Sequence, residues 1–80
     1  VVYPNPTPSS VHVKVNLEEG RSMGELRDAN GATVKTYFDQ HYSSGLHTIF
    51  CDMDGLASGT YFLVIRNNEK TLLEKVVKMK

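Results

Sequence analysis

The chain has 80 residues, of which 40% are hydrophobic, and this length provides for one small domain with a thin core. Nine basic residues balance nine acidic ones, so the sequence lacks the positive field of a nucleic-acid-binding module. No apolar run approaches the ~20 residues of a membrane-spanning helix, so we expect no membrane insertion. The single cysteine, Cys51, excludes an intrachain disulfide and a cysteine-based zinc or iron–sulfur site.

The opening segment, residues 1–10, holds all three prolines of the chain, Pro4, Pro6 and Pro8. Each proline fixes its own φ and pushes the preceding residue toward extended backbone. The segment therefore predicts a stiff lead into a domain formed by residues 11–80. Two interpretations stay open for it, the end of a linker or a clasp on the domain. Because no signal peptide is recognisable here, we expect a piece of a longer protein or a mature product.

Alternation of apolar and polar residues predicts the first strands. Val11 to Leu17 alternates without interruption and places Val11, Val13, Val15 and Leu17 on one face. A weaker strand and its partner are predicted on either side of a turn at Ala29-Asn30-Gly31, in which Asn-Gly accepts the positive φ angles of tight hairpin turns. These strands are Met23–Asp28 and Ala32–Phe38, with polar loops at residues 18–22 and 39–45.

The second half of the chain continues the β pattern. Ile49, Cys51 and Met53 alternate with their neighbours, and Gly59 to Arg66 is apolar on both faces, which predicts an interior strand. Asn67-Asn68 predicts a two-residue turn. Lys70 to Lys80 fits both helical and strand spacing, and the turn before it favours a closing strand. We therefore predict an all-β fold, an immunoglobulin-like antiparallel β-sandwich of about seven short strands, without the Cys–Trp–Cys signature of antibody domains.

No constellation of side chains in the sequence points to chemistry. None of the histidines stands at a recognised metal-ligand spacing (His12, His41 and His47). His47 with Cys51 would supply two ligands of four, and Asp52-Met53-Asp54-Gly55 lacks the glutamate that completes a calcium loop. Ser43 and Ser44 have no scaffold that orients a general base. We expect no metal, no cofactor and no catalytic residue, and we predict that the protein is not an enzyme.

Charge is unevenly distributed along the chain. Residues 66–80 carry five basic side chains against two acidic ones, and the rest of the chain carries the opposite excess. Lysines on the last strand would protect an exposed sheet edge from unwanted pairing. The same lysines would also provide a handle for an acidic partner, so both interpretations stay open.

Five short motifs occur in a fixed order along nearly the whole chain. They resemble the C-terminal sorting domain of cargo proteins of the type IX (Por) secretion system of Bacteroidetes bacteria. Y-P-N-P and a v-x-v strand open that family's pattern, D-x-x-G-x-x-V and L-x-x-G-x-Y follow, and K-hydrophobic-hydrophobic-K closes it. The matching pieces here are Tyr3-Pro4-Asn5-Pro6, Val11 to Val15, Asp28-Ala29-Asn30-Gly31 with Val34, Leu56-Ala57-Ser58-Gly59-Thr60-Tyr61 and Lys75-Val76-Val77-Lys78. Gly24 departs from the pattern, since a β-branched residue is usual there.

The resemblance implies a non-catalytic secretion signal. In that family the parent protein crosses the inner membrane by an N-terminal signal peptide, and the outer-membrane translocon recognises the folded C-terminal domain in the periplasm. In many cargoes a sortase-like surface protease removes the domain, and the cargo is attached at the outer-membrane surface or released. The family's domains are similar to seven-stranded immunoglobulin-like sandwiches.

The resemblance also implies roles for the residues of these motifs. The opening motif would be structural (Tyr3, Pro4, Asn5 and Pro6), as would the turn and core positions (Asp28, Gly31, Leu56, Gly59 and Tyr61). The last strand would be the recognition element (Lys75, Val76, Val77, Lys78 and Lys80). Because no segment follows Lys80 in this sequence, we expect the edge of that strand to be uncovered and open to strand addition or to acidic docking. An uncovered edge also permits a homodimer of the isolated domain.

Two alternatives compete with the sorting signal. A small adhesion or carbohydrate-binding module would present an exposed, coplanar cluster of Tyr37, Phe38 and Tyr42 as a stacking surface. An enzyme would need a pocket that collects His41 and His47 with Asp52 or Asp54.

Overall fold

The computed structural model describes residues 1–79, so Lys80 of the predicted recognition strand lies outside the described residues. Within the described residues, seven strands form two antiparallel sheets, which confirms the predicted all-β sandwich. Within residues 1–79 no helix is long and apolar enough to cross a membrane. The strands are β1 (Val2–Tyr3), β2 (Ser10–Leu17), β3 (Gly20–Arg27), β4 (Thr33–Tyr42), β5 (Gly45–Asp52), β6 (Gly59–Asn67) and β7 (Lys70–Lys78).

The two sheets have the strand orders β1-β2-β5 and β4-β3-β6-β7. Hairpins join β3 to β4 and β6 to β7, whereas the links β2–β3, β4–β5 and β5–β6 pass from one sheet to the other. β6 lies between β3 and β7, which confirms the predicted interior strand. Immunoglobulin constant domains place their fourth strand in the first sheet, and here β4 belongs to the second sheet instead.

The core lies between the sheets and is built by the alternation that the sequence shows. Val11, Val13, Val15 and Leu17 of β2 are all buried on one face, as predicted. Removing each such side chain from water contributes about 1.5–3 kcal/mol to folding. The opposite sheet supplies the inward residues of β6 and single residues from its neighbours (Tyr61, Leu63, Ile65, Leu26 and Val76).

Gly24 of β3 makes room for an aromatic ring in the core. Gly24 and Phe38 lie opposite each other in the β3–β4 register, and a Cβ at position 24 would lie 2.3 Å from the Phe38 ring. Phe38 is buried against the core. The departure from the family's pattern at Gly24 therefore has a steric explanation. A β-branched side chain there would occupy the space that the Phe38 ring fills.

The predicted polar loops at residues 18–22 and 39–45 are wrong over most of their length. β3 begins at Gly20, and β4 continues to Tyr42, with Gly20 opposite Tyr42 in the register. β4 is the outermost strand of its sheet, and its side chains from Asp39 to His41 are exposed. An exposed edge strand does not need the apolar alternation that reveals a strand in a sequence.

Candidate functional site

β7, the edge strand that carries the predicted recognition residues, pairs with β6 along its full length. The register runs from Gly59 opposite Lys78 to Asn67 opposite Lys70, so the segment is the closing strand that the sequence favours over a helix. The turn consists of Asn68 and Glu69, one residue later than predicted. Asn68 has a φ of 56°, a left-handed conformation that asparagine tolerates better than most residues.

The side chain of Asn5 covers part of the outer edge of β7. Its Nδ2 donates to the carbonyl oxygen of Lys75 at 2.8 Å, and its Oδ1 accepts from the backbone N–H of Val77 at 3.0 Å. One amide group thus makes two bonds that a neighbouring strand would otherwise make. The asparagine of Y-P-N-P therefore has a specific partner, the last strand, which sequence reasoning did not identify.

Thr7 continues the cover of the same edge. Its N–H donates to the carbonyl of Val77 at 2.9 Å, and its own carbonyl accepts from the N–H of Met79 at 2.6 Å. The Thr7 side chain is fully buried, and its hydroxyl donates to the carbonyl of Ser10 at 2.6 Å. The opening segment is therefore a clasp, and the linker interpretation is wrong. The expected uncovered edge is also wrong from Lys75 to Met79, because these edge groups already have partners.

Alternation along β7 divides the predicted recognition residues between two faces. Val76 (0% exposed) and Lys78 (8% exposed) point into the sandwich, and the Lys78 Nζ donates to the carbonyl of Leu56 at 3.1 Å. Lys75 is exposed and Val77 is half-buried, both on the opposite face. Within the folded domain, Val76 and Lys78 fix the strand, whereas Lys75 and Val77 are the members that a partner could contact.

Lys75 and Val77 belong to a partly apolar surface, which we call the β6–β7 outer face and define as Phe62, Leu73, Lys75 and Val77. Phe62 lies opposite Lys75 in the register, and Leu73 is 63% exposed. An exposed leucine beside a half-buried aromatic ring and a lysine suits a partner that offers apolar side chains and a carboxylate.

The excess of positive charge at the C-terminal end is smaller at the surface than in the sequence. The Lys70 ammonium lies 2.7 Å from the Glu18 carboxylate, and its hydrogen bond is the main cause that lowers the pKa of Glu18. Lys78 is buried. Arg66 and Lys75 are exposed and form no ion pair within residues 1–79, so among the described residues of this region they are the cations available to a partner.

The L-x-x-G-x-Y motif forms the corner that leads into β6. The Tyr61 hydroxyl donates to the carbonyl of Ala57 at 2.6 Å, the bond that defines the tyrosine corner of immunoglobulin-like sandwiches. Tyr61 itself is buried. Gly59 has a φ of 152°, at the edge of the range that favours glycine. Leu56 packs against the core while its carbonyl accepts the Lys78 bond, so the motif and the last strand support each other.

The D-x-x-G motif forms the loop between β3 and β4, and Asp28 organises it. The Asp28 carboxylate accepts from the backbone N–H groups of Asn30 at 2.9 Å and Ala32 at 3.1 Å, and its backbone N–H donates to the Ala32 carbonyl. Gly31 has a φ of 88° and Asn30 does not share the positive φ. The predicted turn at Ala29-Asn30-Gly31 is therefore confirmed, since the Gly31 N–H donates to the Asp28 carbonyl at 3.0 Å. Of the Asn-Gly pair, Gly31 alone takes the positive φ, and the aspartate caps the loop.

The aromatic residues that an adhesion module would use do not form a stacking surface. Phe38 is buried and meets the Tyr42 ring edge-on, at an interplanar angle of 84°. The Tyr37 hydroxyl donates to the carbonyl of Asp52 at 2.8 Å. Since a carbohydrate platform needs exposed and coplanar rings, this arrangement speaks against that function.

A different row of rings crosses the outer face of the three-stranded sheet, and sequence reasoning missed it. The rings of Tyr3 and His12 stack at 5.6 Å, and His12 meets Phe50 edge-on at 5.4 Å. The three residues are direct neighbours in the register of β1, β2 and β5, a proximity that no local pattern reveals. Because Tyr3 stacks on His12 and His12 meets Phe50 edge-on, the row holds the short β1 on the sheet rather than offering a flat platform.

The polar residues that an enzyme would need bond to their local surroundings. His47 Nε2 is 2.8 Å from the carbonyl oxygen of Ser43, and the Asp52 carboxylate accepts from the backbone N–H of Asp54. Within residues 1–79 no three His, Cys, Asp or Glu side chains lie close enough to hold a metal ion. Burial raises the pKa of the Cys51 thiol to about 11, so the thiol is protonated at neutral pH and is a weak nucleophile.

Comparison with known proteins adds one finding to this geometry. The family model described as the secretion system C-terminal sorting domain matches residues 1–79, a span that contains the clasp, both motif loops and β7. No curated protein matches the sequence.

Proposed function

The chain belongs to the family of secretion system C-terminal sorting domains, which are type IX secretion signals, and from that premise we propose how the signal is read. A signal of this kind directs its parent polypeptide across the envelope to the outer-membrane surface or the extracellular space. We propose that the outer-membrane translocon binds the folded domain, in the periplasm, through the β6–β7 outer face. The domain itself performs no chemistry. A sortase-like surface protease then cuts upstream of it, and the parent is attached at the surface or released.

The exposure of Leu73 is the observation that carries this proposal. It is a large apolar side chain, 63% exposed, beside Lys75 and Val77 on the strand nearest the C-terminus. A soluble domain that leaves such a side chain in water loses the free energy of its burial, about 1.5–3 kcal/mol. A partner that covers the outer face would recover it, and Lys75 would select a partner surface with a carboxylate.

The bonds that fix β7 explain why the signal would be read in the folded state. Asn5 and Thr7 bond to one edge of the strand, β6 bonds to the other, and Lys78 bonds to the corner at Leu56. These contacts come from both ends and the middle of the sequence. An unfolded chain would hold β7 in no fixed position and would not separate its side chains into an inner and an outer face. The translocon would therefore distinguish a folded domain from an unfolded one.

A pair of matched substitutions tests the proposal in the parent protein. Leu73→Glu changes the outer face of β7, and Leu46→Glu changes an equally exposed leucine (66%) on β5 of the other sheet. We expect Leu73→Glu to block export and Leu46→Glu to leave it intact, in a host with the type IX translocon. Lys75→Glu should reduce export without changing the melting temperature. Equal export of the two leucine variants, both folded by thermal melting, would contradict recognition through this face.

The uncovered part of the β7 edge is the place where we propose that isolated domains dimerise. Asn5 and Thr7 bond to Lys75, Val77 and Met79, and the same alternation leaves the outward backbone groups of Thr71 and Leu73 without a partner within residues 1–79. Two copies could pair along this short stretch. Light scattering of the isolated domain would show a monomer–dimer equilibrium that Leu73→Pro shifts toward monomer, and a Leu73→Pro dimer of unchanged affinity would contradict it.

A further inference from the structure

Along the outer edge of β2, the backbone hydrogen bonds are interrupted by a gap at a single residue, Asn16. Lys14 exchanges two backbone bonds with Val1, at 2.8 and 3.1 Å. The Glu18 N–H donates to Oδ1 of Asn67 at 2.8 Å, and the Glu18 carbonyl accepts from Nδ2 of the same amide at 3.0 Å. Asn16 lies between them and points its backbone groups the same way. Within residues 1–79 no group bonds to that backbone.

A groove of about 290 Å³ lies under this gap, between the two sheets. Its walls include Val15 of β2, Ile65 of β6, and Leu72 and Glu74 of β7. Leu72 points inward, like Val76, yet is 38% exposed. β1 pairs only with Val13 and His12 of β2, so in the described residues no neighbouring strand runs beside Val15 and Asn16 on this edge.

We propose that the polypeptide immediately before Val1 in the parent protein extends β1 by two residues along β2. A C-terminal sorting domain receives its parent polypeptide at the Val1 end, and Val1 already lies in register with Lys14. Continued pairing places the residue immediately before Val1 opposite Val15, and the second residue before Val1 opposite Asn16. The second residue then exchanges two backbone bonds with Asn16 and closes the gap.

The extension is limited at both ends by contacts already described. It begins at the Val1–Lys14 pair, and it stops where the Asn67 amide holds both backbone groups of Glu18. The register also predicts the chemistry of the added residues, because side chains alternate between faces. The residue immediately before Val1 shares the inward face with Val2 and Val15, so its side chain enters the groove against Ile65 and Leu72. We infer an apolar side chain there, with the next one outside in solvent.

This inference rests on family membership and not on how the translocon reads β7. Its consequence is that the folded domain begins two residues before Val1. Proteolytic cleavage that keeps the extended β1 paired with β2 must therefore occur upstream of those two residues. A cut at Val1 itself exposes both the backbone of Asn16 and the groove.

Amide hydrogen exchange resolved to single residues in the intact parent protein tests the extension. In the unaltered parent, the Asn16 N–H should exchange at a rate close to that of Lys14. Aspartate in place of the residue immediately before Val1 should speed Asn16 exchange at least about tenfold, because opening of the pair becomes less costly. Aspartate in place of the second residue, which points to solvent, should leave the rate nearly unchanged. The Leu26 N–H in β3 reports that every variant remains folded.

A second pair of variants keeps the test independent of the upstream sequence. Leu72→Asp places a carboxylate in the groove and should speed Asn16 exchange, whereas Leu73→Asp lies on the outer face and should not. Asn16 exchange at the rate of an unprotected amide in the unaltered parent would overturn the proposal. Protection that falls on dilution would overturn it as well, since it would assign the groove to a second copy. If the inward and outward aspartates changed the Asn16 exchange rate equally, the proposed register of the extended β1 on β2 would be contradicted.

Discussion

The side-chain oxygen of Asn5 accepts a hydrogen bond from the backbone N–H of Val77 at 3.0 Å, across a separation of 72 residues. The same amide donates to the carbonyl of Lys75. The first and last parts of the domain are therefore one structural unit. Substitutions in the opening segment should thus destabilise β7, the strand that we propose the translocon recognises.

Asn5→Ala should destabilise the domain by about 1–2 kcal/mol, because two partly solvated hydrogen bonds are lost at the β7 edge. Chemical denaturation of the purified protein measures the free energy of unfolding. Asn30→Ala is the matched control, since the Asn30 side chain makes no hydrogen bond within residues 1–79, and it should change stability by less than about 0.5 kcal/mol. A loss for Asn5→Ala no greater than that for the control would contradict the clasp.

Tyr61→Phe should cost about 1–2 kcal/mol, because the hydroxyl is removed and the Ala57 carbonyl loses its 2.6 Å partner. The aromatic ring remains, so the packing of the core is unchanged. The loss of stability therefore measures the contribution of the hydrogen bond at the corner. Tyr3→Phe serves as the control, since the Tyr3 hydroxyl has no hydrogen-bond partner in the described part of the chain. Thermal melting of the two variants compares them directly, and equal melting temperatures would show that the corner bond contributes nothing.

Gly24→Ala should destabilise the protein by about 1–3 kcal/mol, because the added methyl group collides with the Phe38 ring. A double-mutant cycle with Phe38→Leu separates this collision from a general cost of replacing glycine. The smaller side chain should relieve part of the loss, with a coupling of at least about 0.5 kcal/mol in unfolding free energy. Strict additivity of the two substitutions would argue that the ring does not occupy the space over Gly24.

Stability should fall as pH rises above 9, in part because of Cys51. Burial raises the pKa of this thiol to about 11 from its ordinary value of 9.0. Between those values the unfolded chain loses the thiol proton and the folded chain keeps it, so deprotonation favours unfolding. In Cys51→Ala the contribution is absent, and the difference in unfolding free energy between the two proteins should shrink from pH 8 to pH 11.

The same burial predicts that the Cys51 thiol of the native protein resists iodoacetamide at neutral pH and reacts once urea unfolds the chain. Rapid labelling of the native thiol, or a difference in unfolding free energy that stays constant with pH, would contradict the buried position.

The core strands could be predicted from sequence because burial on one face imposes a period of two. Val11 to Leu17 shows that period, and the structure buries the expected side chains. Tyr61 to Ile65 is instead apolar on both faces, and it lies in the interior strand β6. The end of β4 shows no such period, since its residues from Asp39 to His41 face solvent. Local pattern therefore finds strands that bury a face and misses edge strands that do not.

The contacts that define the candidate site could not be predicted from local pattern. Asn5 meets β7 only after the whole chain has folded, and an asparagine between two prolines signals a turn rather than a distant partner. Lys78 is a charged residue that the sequence places on an exposed strand, yet its ammonium reaches the Leu56 carbonyl inside the domain. The motif resemblance singled out these segments, and the structure shows which groups Asn5, Tyr61 and Lys78 bond to.

The most direct test of the central claim is an export assay with residues 1–80 fused behind a signal peptide and a fluorescent reporter. The fusion is expressed in two hosts that differ only in the type IX translocon. A folded domain that suffices as the signal should deliver fluorescence to the surface or medium of the host that has the translocon, and to neither in the other host. Retention of a folded fusion in the periplasm of both hosts would contradict the account.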